Sequence, residues 1–159
     1  MGYLSFFAAG SAVAFVAARS LSASGTGFLL LCAAAFRLTL LFRPPDLSED
    51  VWRYLWDGRV ARAGFSPWAW PPADPRLAGL APALSARVAH RDIRTVYPPV
   101  AQAVFHSAGV GDRPFLLKAV FSAADIAIVG MLAGAGLPGG AAAAALYAFH
   151  PLPVTETAG

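Results

Sequence analysis

The stretch Leu47–Gly64, LSEDVWRYLWDGRVARAG, carries Asp50, Arg53, Tyr54 and Asp57 at positions i, i+3, i+4 and i+7. On a helix these positions share one face. The resulting stripe joins two carboxylates to a guanidinium and a phenol. Such a set can deprotonate a hydroxyl beside a bound phosphate. The carboxylate takes the proton, and the planar fork of the arginine holds the anion. Glu49 stands next to Asp50 in the first turn, where acids favour the helix dipole. The same spacing also describes a solvated helix face, on which Arg53 bonds Asp50 or Asp57 for a small gain.

A second polar cluster, Asp92, Arg94 and Tyr97, stands just before Pro98–Pro99. Arg94 there suits a lipid phosphate, or headgroups reached by snorkelling. Lys118, Ser122 and Asp125 lie at i, i+4 and i+7 in an apolar stretch, hence on one helix face. A carboxylate at membrane depth is costly and faces a protein interior or cavity. Asp125 is expected to pair with Lys118 or with another helix. Arg37, also within an apolar run, is expected to snorkel toward the end near Arg43. His90, His106 and His150 are far apart and lack metal-ligand spacing, so each reads as an interfacial or hydrogen-bonding histidine. The single cysteine, Cys32, reads as an inert buried thiol in an apolar run. With one cysteine there is neither an internal disulfide nor a zinc cluster.

These residues need elements to hold them, and composition indicates which. Of 159 residues, 57% are hydrophobic and 13% charged, against about 25% charged in a soluble domain. Residues 1–42 contain two charges, Arg19 and Arg37, and residues 126–155 contain none; residues 43–94 hold most of the rest. Apolar blocks separated by a wet loop are a bilayer pattern. The expected fold is all-α, a polytopic transmembrane helix bundle. Spans are expected at about 2–18, 27–43, 114–134 and 138–155, with a polar loop over 44–96 and a short re-entrant or partial helix over 97–110. The first block lacks the basic region of a cleaved signal.

The loop holds all four tryptophans, Trp52, Trp56, Trp68 and Trp70. Tryptophan favours a membrane interface, so helices lying at the surface are expected there. The first of them starts with Ser48 as N-cap and ends at Gly58 or Gly64. A second, over Leu77–Ala89, is weakened by Pro82. The formal charge of +3 is spread through the loop beside acids. That excludes a nucleic-acid stripe and suits membrane lipids or a phosphate-bearing ligand.

The pieces SEDVWRYLWDGRVARAGFSPW (48–68), DIRTVYPPVAQAVF (92–105), LKAVFSAADIAIV (117–129) and ALYAFHPLPVTETAG (145–159) run in one order. In that order the chain resembles bacterial polyprenyl-phosphate-sugar-dependent glycosyltransferases, the mannosyltransferase-like members of the GT-C superfamily. The resemblance covers about Pro45 to the end, and the first two pieces carry most of its specificity. It implies a multi-pass protein of the bacterial inner membrane. It also implies a first non-cytoplasmic loop with an acid near its start, acting as general base on the acceptor hydroxyl. The donor would be a hexose, mannose among the candidates, on a polyprenyl monophosphate. The acceptor would be a glycan or a lipid, and transfer would invert the anomeric carbon.

Carried onto this chain, the base is Asp50, with Glu49 the alternative. Arg53, Arg94 and Tyr97 would contact the donor phosphate, Tyr54 would line the same site, and Asp57 would orient Arg53. Some GT-C enzymes use a divalent cation; the sequence marks no ligands for one. The chain is shorter than such enzymes, which implies the N-terminal piece of a larger protein, inactive alone. Two apolar segments precede the loop where one is usual, so either the N-terminus lies outside or 2–18 does not cross. The rival reading is a transporter or lipid flippase whose pathway is lined by Asp125, Lys118 and Arg37. A third is a membrane scaffold whose aromatic loop docks a partner.

Overall fold

The structure, a computed structural model, describes residues 12, 25–45, 48–111 and 113–158. The span expected over 2–18 lies outside these residues apart from Ala12. Among the described residues every regular element is helical. In order they are α1 (Thr26–Leu41), α2 (Asp50–Arg62), a 3-10 turn (Pro75–Leu77), α3 (Pro82–Ser85), α4 (Pro99–Ala108), α5 (Phe115–Gly134), α6 (Gly140–Phe149) and α7 (Pro151–Ala158). The all-α class therefore holds. The chain divides into two compact units, residues 48–120 and residues 1–47 with 121–159. The sequence had suggested one transmembrane domain with a polar loop. Within residues 48–120 that loop has enough apolar side chains to build an interior of its own.

That interior explains the tryptophans. Trp56 is 1% exposed and Trp52 8%, beside buried Leu55, Val60, Leu77, Leu84 and Phe105. These two rings fill the core of the unit, which corrects the interfacial role expected for them. The guanidinium of Arg87 covers the open side of Trp52 at 3.5 Å from the ring centroid, a cation–π contact. Trp68 stays part-exposed.

Helix α2 starts one residue after Glu49, which occupies the N-cap position without a side-chain cap bond. Ser48 is thus not the cap. Its end is signalled correctly by Gly64, whose φ of +83° suits glycine. Gly58 does not end the helix but lies inside it, buried, where α2 packs along α4. The helix expected over Leu77–Ala89 is the 3-10 turn and the single turn of α3 instead. Pro82 takes the first position of α3, where its missing N–H costs nothing. Pro99 does the same for α4, with Pro98 extended before it.

Arg62, at the end of α2, closes the C-terminus of α4. Its Nη1 donates to the carbonyls of His106 (2.6 Å) and Phe105 (3.3 Å), and its Nη2 to that of Gly109. The His106 carbonyl is one that a helix leaves unsatisfied, at the end where a cation is favoured, whereas that of Phe105 also accepts from the Gly109 N–H at 2.9 Å. Desolvation, followed by repulsion from Arg59, holds the Arg62 guanidinium below its ordinary pKa.

In the other unit Leu29, Ala33, Val129, Ala144, Ala145 and Ala148 form the core. Small side chains let helix backbones approach closely. Among the described residues one helix, α5, is long and apolar enough to cross a membrane, with 20 residues and a mean hydropathy of 1.9. Helices α1 and α6 are apolar but shorter. The block expected as one span over 138–155 is two helices, because His150 is extended (ψ 129°) and Pro151 opens α7. A residue before proline disfavours the helical region.

Arg37 does not snorkel. It is 1% exposed and pairs with Asp125. Its Nε donates to Asp125 Oδ2 at 2.6 Å, and its Nη1 to the carbonyls of Ala148 (3.1 Å) and Ala33 (3.3 Å). Asp125 thus finds a partner on another helix, one of the two arrangements expected for it.

Candidate functional site

The site is built on the first turn of α2 and on the segment leading to α4. A pocket of about 190 Å³ is lined by Glu49, Asp50, Arg53, Arg94 and Tyr97 together with Ala89, His90, Ile93 and Val96. Five of the seven residues singled out from the sequence therefore share one pocket. Tyr54 and Asp57 do not line it; they stand behind residues that do.

Asp57 is 1% exposed. Its Oδ1 accepts from Arg53 Nε at 3.0 Å and its Oδ2 from Gln102 Nε2 at 2.8 Å. Both its oxygens are engaged inside the protein, one of them by Arg53, which fits the orienting role that the resemblance implies for it. Arg53 Nη2 donates to the Ile93 carbonyl at 2.9 Å. This fork ties α2 to the irregular segment that leads to α4 and leaves the small exposed part of Arg53 to the pocket. Gln102 Nε2 also donates to Thr95 Oγ1 at 2.9 Å, and the Tyr97 N–H to the same oxygen at 3.3 Å. Both walls of the pocket are therefore fixed by one buried hydrogen-bond network, in which every link is costly to break.

Aromatic packing fixes the third side. The ring of Tyr54 stacks on Phe105 with centroids 4.5 Å apart, and Tyr97 meets both edge-on, at 5.1 Å from Tyr54 and 5.4 Å from Phe105. Trp68 Nε1 donates to the Tyr97 carbonyl at 3.1 Å. Tyr97 is half-buried and lines the same pocket as Asp50. Its pKa is raised above the ordinary tyrosine value, first by desolvation and then by the negative charge of Asp50.

Asp50 and Glu49 remain exposed, so a substrate hydroxyl can reach them. Arg94 is exposed as well, and the lining also includes the apolar side chains of Ala89, Ile93 and Val96. An anion bearing a hydrocarbon group fits this distribution: guanidinium for charge, valine and isoleucine for chain. Among the described residues no group of three or more His, Cys, Asp or Glu side chains is placed to hold a metal ion.

Sequence reasoning missed His90, Gln102 and Thr95. His90 lines the pocket with φ at +51°, a left-handed conformation that nothing in its neighbours signals. Thr95 and Gln102 straddle the Pro-Pro turn, across which no helical or strand period relates them. His150 was read as interfacial or hydrogen-bonding, and its Nδ1 accepts from the Leu152 N–H at 3.2 Å. Lys118 and Ser122 are buried at 3% and 6% exposure. Cys32 is half-buried rather than buried as expected. Comparisons of the chain with protein-family models, curated proteins and solved structures find no match.

Proposed function

We propose that this chain is part of an inverting, polyprenyl-phosphate-dependent glycosyltransferase of GT-C type, held in a bacterial inner membrane by a multi-pass bundle. The observation that carries the reading is the pocket that gathers Glu49, Asp50, Arg53, Arg94 and Tyr97. An exposed acid beside a fixed guanidinium suits a reaction that removes a proton and releases a phosphate. The acceptor oxygen attacks the anomeric carbon of the donor sugar. A new C–O glycosidic bond forms as the bond from that carbon to the phosphate oxygen breaks. The proton passes to Asp50, and the lipid phosphate leaves with the electron pair. Arg53 and Arg94 stabilise the charge gathering on the departing phosphate. The donor's sugar, the acceptor's identity and any divalent cation belong to the same proposal.

The test is sugar transfer by the protein in native membranes, offered a panel of radiolabelled polyprenyl-phosphate sugars with acceptor present. Asp50→Asn is expected to abolish transfer while expression is unchanged, and Glu49→Gln to retain part of it. Normal transfer by Asp50→Asn removes Asp50 as base. A wild type silent with every donor, combined with substrate flux that is lost in Asp125→Asn, favours the transporter reading.

A further inference from the structure

Among the described residues, His90 alone combines a side chain with a positive φ, +51°. Every other positive-φ position among them is a glycine, which adopts that conformation without steric cost. Side chains held in this region cluster at binding and active sites, where the surrounding structure enforces them.

The surroundings of His90 do enforce it. Its carbonyl accepts from the Ile93 N–H at 3.0 Å, closing a turn. The Arg91 carbonyl accepts from the Ala73 N–H at 2.8 Å, and Arg91 Nη2 donates to Ser85 Oγ at 3.0 Å. Arg53 Nη2 holds the Ile93 carbonyl at 2.9 Å. The turn is thus tied to α2, to α3 and to the segment before the 3-10 turn. From this fixed backbone His90 lines the pocket that Glu49, Asp50, Arg53, Arg94 and Tyr97 share.

The cationic groups of that pocket are unequally placed. Arg53 commits its Nε to Asp57 and part of its Nη2 to Ile93, so only the rest of its fork is left for a ligand. Arg94 is exposed, at the end of a long rotatable side chain. The imidazole of His90 is short and mounted on tied backbone, and among the described residues no hydrogen bond or ion pair occupies it. Either neutral tautomer has one ring N–H to donate, and the protonated ring has two. A phosphate offers acceptor oxygens on several sides, of which one arginine fork meets a single side. Ile93 and Val96, in the same lining, are 49% and 80% exposed. They favour a phosphate that carries a hydrocarbon chain over a free one.

We propose that His90 is a binding residue of this pocket: its ring N–H donates to the phosphate of a polyprenyl monophosphate whose charge Arg53 and Arg94 balance. The choice of lipid rests on the glycosyltransferase reading; the phosphate contact does not.

Equilibrium binding to the protein in phosphatidylcholine nanodiscs tests it, with a polyprenyl monophosphate, the matching polyprenol and inorganic phosphate as probes. His90→Gly keeps the backbone conformation and removes the ring. It is expected to melt no lower than wild type and to bind the polyprenol unchanged. Its affinity for the monophosphate is expected to fall about tenfold, as the loss of a hydrogen bond to a charged group implies. His90→Asn tolerates the same φ and offers an amide N–H, so it is expected to recover part of that loss. Wild-type affinity for the monophosphate in His90→Gly overturns the contact. An equal loss for the polyprenol, or a melting temperature well below wild type, makes His90 a packing residue and overturns it too. Inorganic phosphate is expected to compete at least about a hundredfold more weakly, having no chain to bury; competition at equal concentration overturns the lipid. A wild type that binds monophosphate and polyprenol alike overturns the phosphate contact. A wild type that prefers the monophosphate yet transfers no sugar overturns the glycosyltransferase reading alone, and the His90 variants then still decide the contact.

Discussion

Gly58 lies directly against the backbone of Phe105: a Cβ added there would stand 2.2 Å from the Phe105 carbonyl oxygen. Backbone, unlike a side-chain tip, cannot swing aside. Helices α2 and α4 can therefore pack at this distance only because position 58 is glycine. Gly58→Ala gains about 0.5–1 kcal/mol of helix propensity, yet forces the helices apart at an overpacking cost of about 1–3 kcal/mol. The expected net effect is a lower melting temperature together with disturbed geometry at the pocket. A melting temperature at or above that of wild type would show that the two helices separate freely.

The buried pair of Arg37 and Asp125 makes a second prediction. Removing one partner strands the other charge in an apolar interior, at a cost of about 3–5 kcal/mol. Arg37→Met and Asp125→Leu are each expected to lower folded yield sharply. The double variant is expected to recover most of the loss, since apolar replacement of a whole buried pair is often near neutral. Thermal stability of the three purified variants in detergent checks this. A double variant as poor as the worse single one would assign the pair a role beyond packing.

Asp57 offers a cleaner perturbation of the pocket. Asp57→Asn preserves shape but removes the charge that anchors Arg53 Nε. Arg53 is then expected to sample other orientations, weakening donor binding by about tenfold, within the range of a charge-assisted bond. Titration with a non-transferable polyprenyl-phosphate analogue reads this directly. Unchanged affinity would mean that Ile93 alone suffices to hold the guanidinium.

The raised pKa of Tyr97 carries a pH dependence with a definite sign. Burial and Asp50 favour its neutral form in the folded protein relative to an ordinary value of 10.0. Its contribution to stability is fully present below about pH 10. It is lost as pH rises through the folded value, because the unfolded chain ionises first. Tyr97→Phe is expected to soften the alkaline fall in melting temperature without altering it near neutrality. An identical alkaline profile in both proteins would refute the raised value.

What the sequence made legible was local. Helical spacing placed Asp50, Arg53, Tyr54 and Asp57 on one element, Gly64 marked its end, and the Pro98–Pro99 pair marked the start of α4. These signals act within a turn or two of the chain. The misreadings concern partners far along it. Gly58 looks like a helix stop because its reason for being glycine is the backbone of Phe105. Arg37 looks like a snorkelling residue because its carboxylate partner is 88 residues away. Trp52 and Trp56 have the amphipathic character of interfacial rings, and only the folding of the loop onto itself decides that they are interior. The break at His150 was within reach, since Pro151 disfavours helix before it, but the unbroken apolarity of the block outweighed that one residue. Asp57 was found by spacing, yet Gln102, which fixes its second oxygen, lies beyond any periodic rule.

Arg62 belongs to the earlier helix and closes the end of the later one. A chain leaves the ribosome from its N-terminus, so α2 is complete before the residues of α4 exist. The carbonyls of Phe105, His106 and Gly109 therefore emerge into a setting where their cap has already been made. A circular permutation that moved α2 behind α4 would keep every contact of the finished unit but reverse this order, leaving the ten residues of α4 to wait uncapped for their partner.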